Sequence, residues 1–330
     1  MAKIANIDLG AFPLLLAPME DVSDPPFRAL CKEQGCDMMY TEFIAVEGLI
    51  RDADKSVQKL DIYDKERPIG IQIFGAELDS MIKAAEIVEA ANPEVLDINF
   101  GCPVKKVVCK MMGAGILQDI DRMVELTKTV VNATKLPVTV KTRLGWDESS
   151  IRIVEVAERL QDVGIQALAI HGRTRKQMYK GEADWTEIGK IKNNPRMHIP
   201  IIGNGDIDSP EKAVAYKNRY GVDGIMIGRA SIGYPWIFRE IKHYVKTGEH
   251  LPPPNVNERV VAAKQHVKHS IEWKGVKLGI LEMRRHYTNY FKAFPGIKPY
   301  RTRLVTASHP EEVIAILDEI ENKYSGVLAL

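Results

Sequence analysis

Cysteine is scarce in this chain: Cys31, Cys36, Cys102 and Cys109 are the only four in 330 residues, and no two stand as C-x-x-C. That spacing argues against a structural zinc site, and four thiols in a chain this long make no disulfide framework. Free thiols and no bound metal are expected. Long apolar runs are missing as well, with no window of about 18 residues fit to span a membrane. The opening residues Met1-Ala2-Lys3-Ile4-Ala5-Asn6-Ile7-Asp8 have no apolar stretch behind their lysine. A cytoplasmic protein with no membrane partner is the expectation, working as a monomer. Excess charge of one sign is lacking too, since the formal net charge is +1, and no global attraction to a polyanion follows. The dinucleotide fingerprint G-x-G-x-x-G after a strand is absent: Gly113-Ala114-Gly115 follows no strand and has no third glycine.

What the chain does hold is a large apolar content, 45% hydrophobic residues, with 27% charged residues, enough for a sizeable core. Eight short apolar runs recur before about residue 230: 12–17, 38–44, 68–74, 95–100, 137–141, 167–170, 200–202 and 224–227. Near-continuous apolar strands imply burial on both faces, and the gaps between them leave room for helices. Leu78, Met81, Ile82, Ala85, Ile87 and Val88 show helical periodicity, as do Met123, Val124, Leu126, Val130 and Val131. Strand and helix alternating eight times read as a (β/α)8 TIM barrel, with an open doubly wound sheet as the competing arrangement.

The run Leu251-Pro252-Pro253-Pro254-Asn255 cannot continue a helix and reads as a linker. The expected division is a catalytic barrel over 1–250 and a small all-helical domain over 251–330. Amphipathic helices are expected at about 256–273, 276–293 and 309–324, with no strands. Between residues 264 and 303 lie ten basic side chains, Lys264, Lys268, Lys274, Lys277, Arg284, Arg285, Lys292, Lys298, Arg301 and Arg303, against Glu272 and Glu282 alone. Trp273, Tyr287, Tyr290, Phe291, Phe294 and Tyr300 interleave with them. Basic and aromatic residues together suit a surface that holds phosphates and stacks bases, although aromatics at helical spacing also suit a core.

Barrel enzymes build their sites from the carboxyl ends of strands. The residues expected there are Pro18, Met19 and Glu20 after the first strand, Gln72 in the third, and Asn99 and Cys102 at the fourth. Lys141 and Arg143 end the fifth, His171 and Arg173 the sixth, Asn204, Gly205 and Asp206 the seventh, and Gly228 and Arg229 the eighth. Glycines and an arginine after the last two strands suit one phosphate. Gln72 can read a ring edge and Lys141 can neutralise an anionic ring, so flavin mononucleotide (FMN) fits, with NADPH as a visiting reductant. Lys105 and Lys106, just beyond Cys102, suit a polyanionic substrate.

Several motifs occur in order: Ala17-Pro18-Met19-Glu20 with Asp24-Pro25-Pro26-Phe27-Arg28, Gln72-Ile73-Phe74-Gly75, Asp97-Ile98-Asn99-Phe100-Gly101-Cys102-Pro103 and Lys141-Thr142-Arg143. They continue in His171-Gly172-Arg173-Thr174-Arg175, Gly203-Asn204-Gly205-Asp206-Ile207, Gly228-Arg229-Ala230 and Pro235-Trp236-Ile237-Phe238-Arg239-Glu240-Ile241. This ordered set resembles the tRNA-dihydrouridine synthases, most of all the bacterial B type; Phe100 stands where that type more often has Met. The resemblance implies a flavin-binding barrel followed by a helical domain that grips tRNA. It also implies NADPH-driven reduction of the C5–C6 bond of a D-loop uridine, with the base flipped over the flavin. Cys102 would then give the proton, and Asn99, Lys141, Arg143, His171 and Arg173 would surround uracil and the flavin edge. Two other readings compete: an FMN-dependent small-molecule reductase of the dihydroorotate dehydrogenase type, which leaves the basic tail unexplained, and an RNA-binding scaffold, which leaves the Cys102 set idle.

Overall fold

The computed structural model describes residues 1–292 and 294–326. Residue 293, the expected end of the second tail helix, and residues 327–330 of the expected helical domain lie outside the described residues. Among the described residues, eight parallel strands form one sheet: β1 (Leu14–Leu16), β2 (Met39–Tyr40), β3 (Ile69–Phe74), β4 (Val95–Phe100), β5 (Val138–Arg143), β6 (Ala167–His171), β7 (Ile201–Asn204) and β8 (Gly224–Ile227). Their order, β1-β8-β7-β6-β5-β4-β3-β2, is a chain of nearest neighbours. A parallel bridge between Leu15 and Met38 brings the two ends together and closes the ring. The fold is therefore a (β/α)8 barrel.

Two-residue alternation sorts every strand. Leu96, Ile98, Val138, Val140, Leu168 and Ile170 join the core between strands and helices. The alternate positions face the barrel axis, where Val95, Ala167, Ala169, Ile202 and Met226 pack with Tyr40, Ile4 and Leu9. Ile4 and Leu9 come from the amino-terminal hairpin of Lys3–Ile4 and Ile7–Asp8, which plugs the bottom. Climbing the same axial rows, β4 goes from Val95 to Asp97 to Asn99, β5 from Thr139 to Lys141 to Arg143, and β6 from Ala167 to Ala169 to His171. The barrel is greasy at its base and polar at its carboxyl end.

Around it run α1 (Pro25–Glu33), α2 (Leu78–Ala90), α3 (Ile120–Ala133), α4 (Ile153–Asp162), α5 (Thr186–Lys192), α6 (Pro210–Tyr220) and α7 (Ile237–Thr247). Local chemistry starts and stops them. Asp24 accepts from the Phe27 N–H at 3.0 Å ahead of Pro25, and Ser209 caps α6 ahead of Pro210. The expected second strand, 38–44, is divided: Met39–Tyr40 and Ile44–Ala45 each pair with β3, and Thr41, Glu42 and Phe43 leave the sheet between them. Thr41 Oγ1 takes the Gln72 N–H, and the Glu42 carboxylate takes the Asp21 N–H.

Beyond the prolines come α8 (Val256–Tyr290), α9 (Lys298–Thr306) and α10 (Pro310–Tyr324). Asn255 and Glu258 form a reciprocal cap at the start of α8. Gly275, at φ 80° and ψ 164°, breaks α8 in the middle, so two helices meet there as the pattern anticipates. α9 escapes sequence periodicity because Leu304 is its one buried residue. Tyr287, Tyr290, Phe291 and Phe294 form the tail's own core with Val260, Met283, Leu304, Ile316 and Ile320. Their faces are unavailable to bases, which corrects the reading of those four as a stacking surface.

Gly203 in β7 exists for a packing reason. A Cβ there would stand 1.9 Å from Cζ3 of Trp185, whose fully buried indole packs against this position and donates to the Gly205 carbonyl at 3.1 Å. Gly203→Ala is expected to lower stability by about 3 kcal/mol, the upper part of the overpacking range, read from the urea denaturation midpoint.

Candidate active site

A cavity of about 1110 Å³ opens at the carboxyl end of the barrel. Pro18, Met19, Glu20, Asn99, Cys102, Lys141, Arg143, His171, Arg173, Asn204, Gly205, Asp206, Gly228 and Arg229, all expected from the sequence, line it. The structure places three expected residues elsewhere. Gln72 is fully buried one layer below, its amide engaged with Asp97 and Asn99 rather than lining the cavity. Lys105 and Lys106 are exposed on the short helix Lys105–Val108, outside the lining.

Cys102 is held by its backbone. The Asn99 side-chain oxygen, Oδ1, accepts from the N–H groups of Gly101 and Cys102, each at 2.9 Å, and the Cys102 backbone carbonyl accepts from the Ala114 N–H at 3.0 Å. Arg143 Nε donates to the Gly101 carbonyl at 2.8 Å. Gly113, at φ 54°, lies so close that a Cβ would stand 2.9 Å from the Cys102 carbonyl oxygen. The Gly-Ala-Gly run is thus a buttress for the cysteine loop, a role visible only when the two segments are seen side by side. Burial raises the Cys102 thiol above its ordinary value, although the Val104 backbone and Arg143 pull the other way. The group stays a thiol at neutral pH.

Cations dominate the walls. Burial, reinforced by Arg143, brings the Lys141 ammonium down to about 8, and no hydrogen-bond partner holds it among the described residues. Burial likewise lowers Arg143 to about 10. His171 falls well below its usual range through burial and then through Arg143, Lys141, Arg173 and Arg229, so its ring is neutral at pH 7. The Arg173 guanidinium, which can only donate, sits 3.2 Å from His171 Nε2; that nitrogen accepts, and the ring proton resides on Nδ1.

Arg173 has little left to offer a ligand. Its five N–H positions meet the carbonyls of Lys180 and Gly181, His171 Nε2, and both carboxylate oxygens of Asp206 at 2.9 and 2.5 Å. Asp206 also accepts from Ala183 N–H and from Arg229 at 2.7 Å. Burial tends to raise the Asp206 carboxyl, but Arg173 and Ala183 hold it below its usual range. Arg173 and Asp206 therefore brace the loop after β7, while Arg229, half-exposed, keeps donors for the cavity. Sequence reasoning missed Tyr179 and, from beyond the barrel, Pro253, Arg259 and Asn289; Lys292 it had among the basic side chains expected to meet phosphates. Tyr179 lines the mouth with the Arg143 and Arg229 guanidiniums 5.6 and 5.0 Å from its ring centre. Pro253, Arg259, Asn289 and Lys292 line the cavity as well, so the proline linker forms part of the wall.

The family model for dihydrouridine synthase (Dus) matches residues 15–325, the barrel and most of the tail in one span. The chain belongs to the dihydrouridine synthase family. It is 42% identical over 291 residues to tRNA-dihydrouridine synthase B of Pseudomonas putida, covering 88% of this chain and 86% of that one. It is 41% identical to probable tRNA-dihydrouridine synthase 1 of Synechocystis over 93% and 85% of the two chains. A probable tRNA-dihydrouridine synthase of Rickettsia prowazekii matches at 35% identity over 99% of both. Among solved structures, an old yellow enzyme homologue from Zymomonas mobilis superposes with a TM-score of 0.51 at 15% identity, over 78% of this chain and 96% of that one. Histamine dehydrogenase from Rhizobium sp. 4-9 superposes at 0.53 and 13% identity, over 79% and 50%. These two likenesses concern the fold alone.

In this dihydrouridine synthase five of the ten basic side chains of the tail are tied up internally. Lys264 pairs with Asp318 and Glu321, Lys274 with Asp24 and Glu282, Arg285 with Asp21, and Arg303 with Glu319. Arg284 donates to the Ala307 carbonyl. Lys268, Lys277, Lys292 and Lys298 are exposed, and Lys292 alone of these also lines the cavity.

Because the Cys102 thiol is raised, its alkylation by iodoacetamide should climb with pH along a curve whose midpoint lies above the ordinary 9.0. The measurement uses a Cys109→Ser background, since Cys109 is exposed while Cys31 and Cys36 are buried. A midpoint at or below that value would mean an activated thiolate.

Proposed function

We propose that the protein reduces the C5–C6 bond of a D-loop uridine in tRNA, using bound FMN recharged by NADPH, with Cys102 as proton donor. The carrying observation is a buried, protonated thiol beside a cation-lined cavity large enough for a flavin and a base together.

The residues suit FMN. Arg229, half-exposed and steadied by Asp206, stands with Gly205 and Gly228 at the ends of β7 and β8, the position for a phosphate. Lys141, half-buried and without a protein partner among the described residues, suits an anionic ring edge. When bound, reduced FMN supplies the hydride for uracil C6. Cys102 then delivers its proton to C5, a role that needs a thiol rather than a thiolate. Asn99 has one N–H left over for a base carbonyl, because Gln72 takes the other and the Asn99 oxygen already accepts from two backbone N–H groups. Neutral His171, with Nδ1–H, offers a donor without adding charge.

Residues 251–330 serve as the RNA-binding domain, with Lys292 at the mouth, while Lys105 and Lys106 are exposed just beyond Val104, which lines it, free to meet phosphates. The base must leave its stack to reach the cavity, and single-stranded loop uridines cost least to extract. Arg173 works here by bracing Asp206 and the loop.

The deciding test incubates the purified protein with NADPH and unmodified tRNA, digests the RNA and looks by mass spectrometry for uridines carrying two extra hydrogens in a D-loop fragment. Cys102→Ala should leave flavin bleaching by NADPH intact and slow uridine reduction by about 100-fold or more. Equal loss in both half-reactions would sink the proton-donor role. Replacing Lys105, Lys106 and Lys292 with Ala should weaken tRNA binding and lower its salt slope by about one per lysine, without loss of flavin; an unchanged slope would place the RNA surface elsewhere.

A further inference from the structure

Behind the Cys102 turn runs a buried series of hydrogen bonds with one direction. Thr139 Oγ1 donates to Asp97 Oδ1 at 2.5 Å, and Gln72 Nε2 donates to Asp97 Oδ2 at 2.5 Å. Asn99 Nδ2 donates to Gln72 Oε1 at 2.8 Å, and Asn99 Oδ1 accepts from the N–H groups of Gly101 and Cys102. Asp97, Gln72, Asn99 and Thr139 are all buried, so water supplies no substitute partner. Strand pairing makes the series possible: Gln72 stands opposite Asp97, and Asp97 opposite Thr139.

Direction matters because a carboxamide has a donor end and an acceptor end. The backbone N–H groups of the cysteine turn can only donate, so they require the Asn99 oxygen. Asn99 then presents N–H to Gln72, which must answer with its oxygen and present its own N–H to position 97. The far end must therefore be an acceptor. An ionised carboxylate is one: burial brings Asp97 up to about 6, and the bonds from Gln72 and Thr139 resist that rise. Asp97 does not line the cavity.

We propose that Asp97 is a positioning residue for Cys102, fixing through Gln72 and Asn99 the orientation of the turn that carries the thiol. This rests on the reading of Cys102 as proton donor. An apolar residue at 97 frees the Gln72 amide to reverse; Asn99 then reverses with it, and N–H groups face N–H groups at the turn. Asparagine at 97 keeps the direction, because its oxygen can meet Gln72 while its amide meets a Thr139 hydroxyl rotated to accept.

The test compares Asp97→Leu with Asp97→Asn in the Cys109→Ser background, scored on the flavin-containing fraction. Asp97→Leu should slow uridine reduction by about 10-fold or more and speed Cys102 alkylation severalfold, while flavin reduction by NADPH is retained; Asp97→Asn should stay within about threefold of the parent on all three. Gln72→Met, similar in length but unable to relay, should repeat the Leu pattern and replaces it if Asp97→Leu does not fold. Parent-like rates in both apolar variants overturn the proposal, and so does Asp97→Asn damage equal to that of Asp97→Leu. If Cys102→Ala keeps full activity, the proton-donor reading fails, yet the alkylation contrast still judges Asp97.

Discussion

The two-residue pleat of a closed parallel barrel is the constraint on which the site depends. Once β4, β5 and β6 are locked in register, positions 95, 97 and 99, then 139, 141 and 143, then 167, 169 and 171 must face the axis. A one-residue slip would exchange these rows for the isoleucines, leucines and valines between them, turning Asp97 and Lys141 into the helix layer and costing several kcal/mol for each unpaired charge. The same hydrophobic alternation that drives folding therefore aims the chemistry. Nothing separate is needed to gather Asn99, Lys141, Arg143 and His171 at one end.

Gathering so many cations has an electrostatic consequence. Lys141, Arg143, Arg173 and Arg229 crowd His171, and Asp206 compensates only Arg173 and Arg229 directly. The low Lys141 value and the neutral histidine both follow first from burial and then from the positive charges gathered around them. An anionic ligand relieves that repulsion. Lys141, without a partner among the described residues, and Arg229, which spends one donor on Asp206 and keeps the rest, are accordingly distinguishable from Arg173, whose bonds are complete within the protein.

How much of this was legible beforehand depends on the range of the interaction. Strand positions followed from local apolar runs, and all the predicted mouth residues except Gln72, Lys105 and Lys106 line one cavity because strand ends in a barrel necessarily converge. Gln72 illustrates the limit: its strand was evident, but whether its amide faces a ligand or a neighbour depends on Asp97, 25 residues away. Gly113 and Trp185 were opaque for the same reason, since each acts on a segment distant in the chain. α9 was missed because one buried leucine sets no period. The tail's aromatics satisfied both a core and a stacking surface in composition, and packing decided for the core.

The tail also shows why a local excess of lysine and arginine overstates a free surface. Lys274 is nearly enclosed, its side chain 4% exposed, and lies between Asp24, the cap of α1, and Glu282 on the far half of α8. Burial works against its charge, and the two carboxylates outweigh it, holding the ammonium above its ordinary value. Such a contact adds little net stability over an apolar equivalent, but it is intolerant of misalignment, because an unpaired buried charge costs about 3–5 kcal/mol. Trp273 donating to Asp61, Gln58 donating to the Trp273 carbonyl and Arg285 meeting Asp21 repeat the constraint along the same seam. These contacts fix the helices in angle against the barrel, which is why Asn289 and Lys292 arrive at the cavity mouth rather than at some other face. Part of the basic composition thus orients the tail, and only the remainder is left to meet an anionic partner.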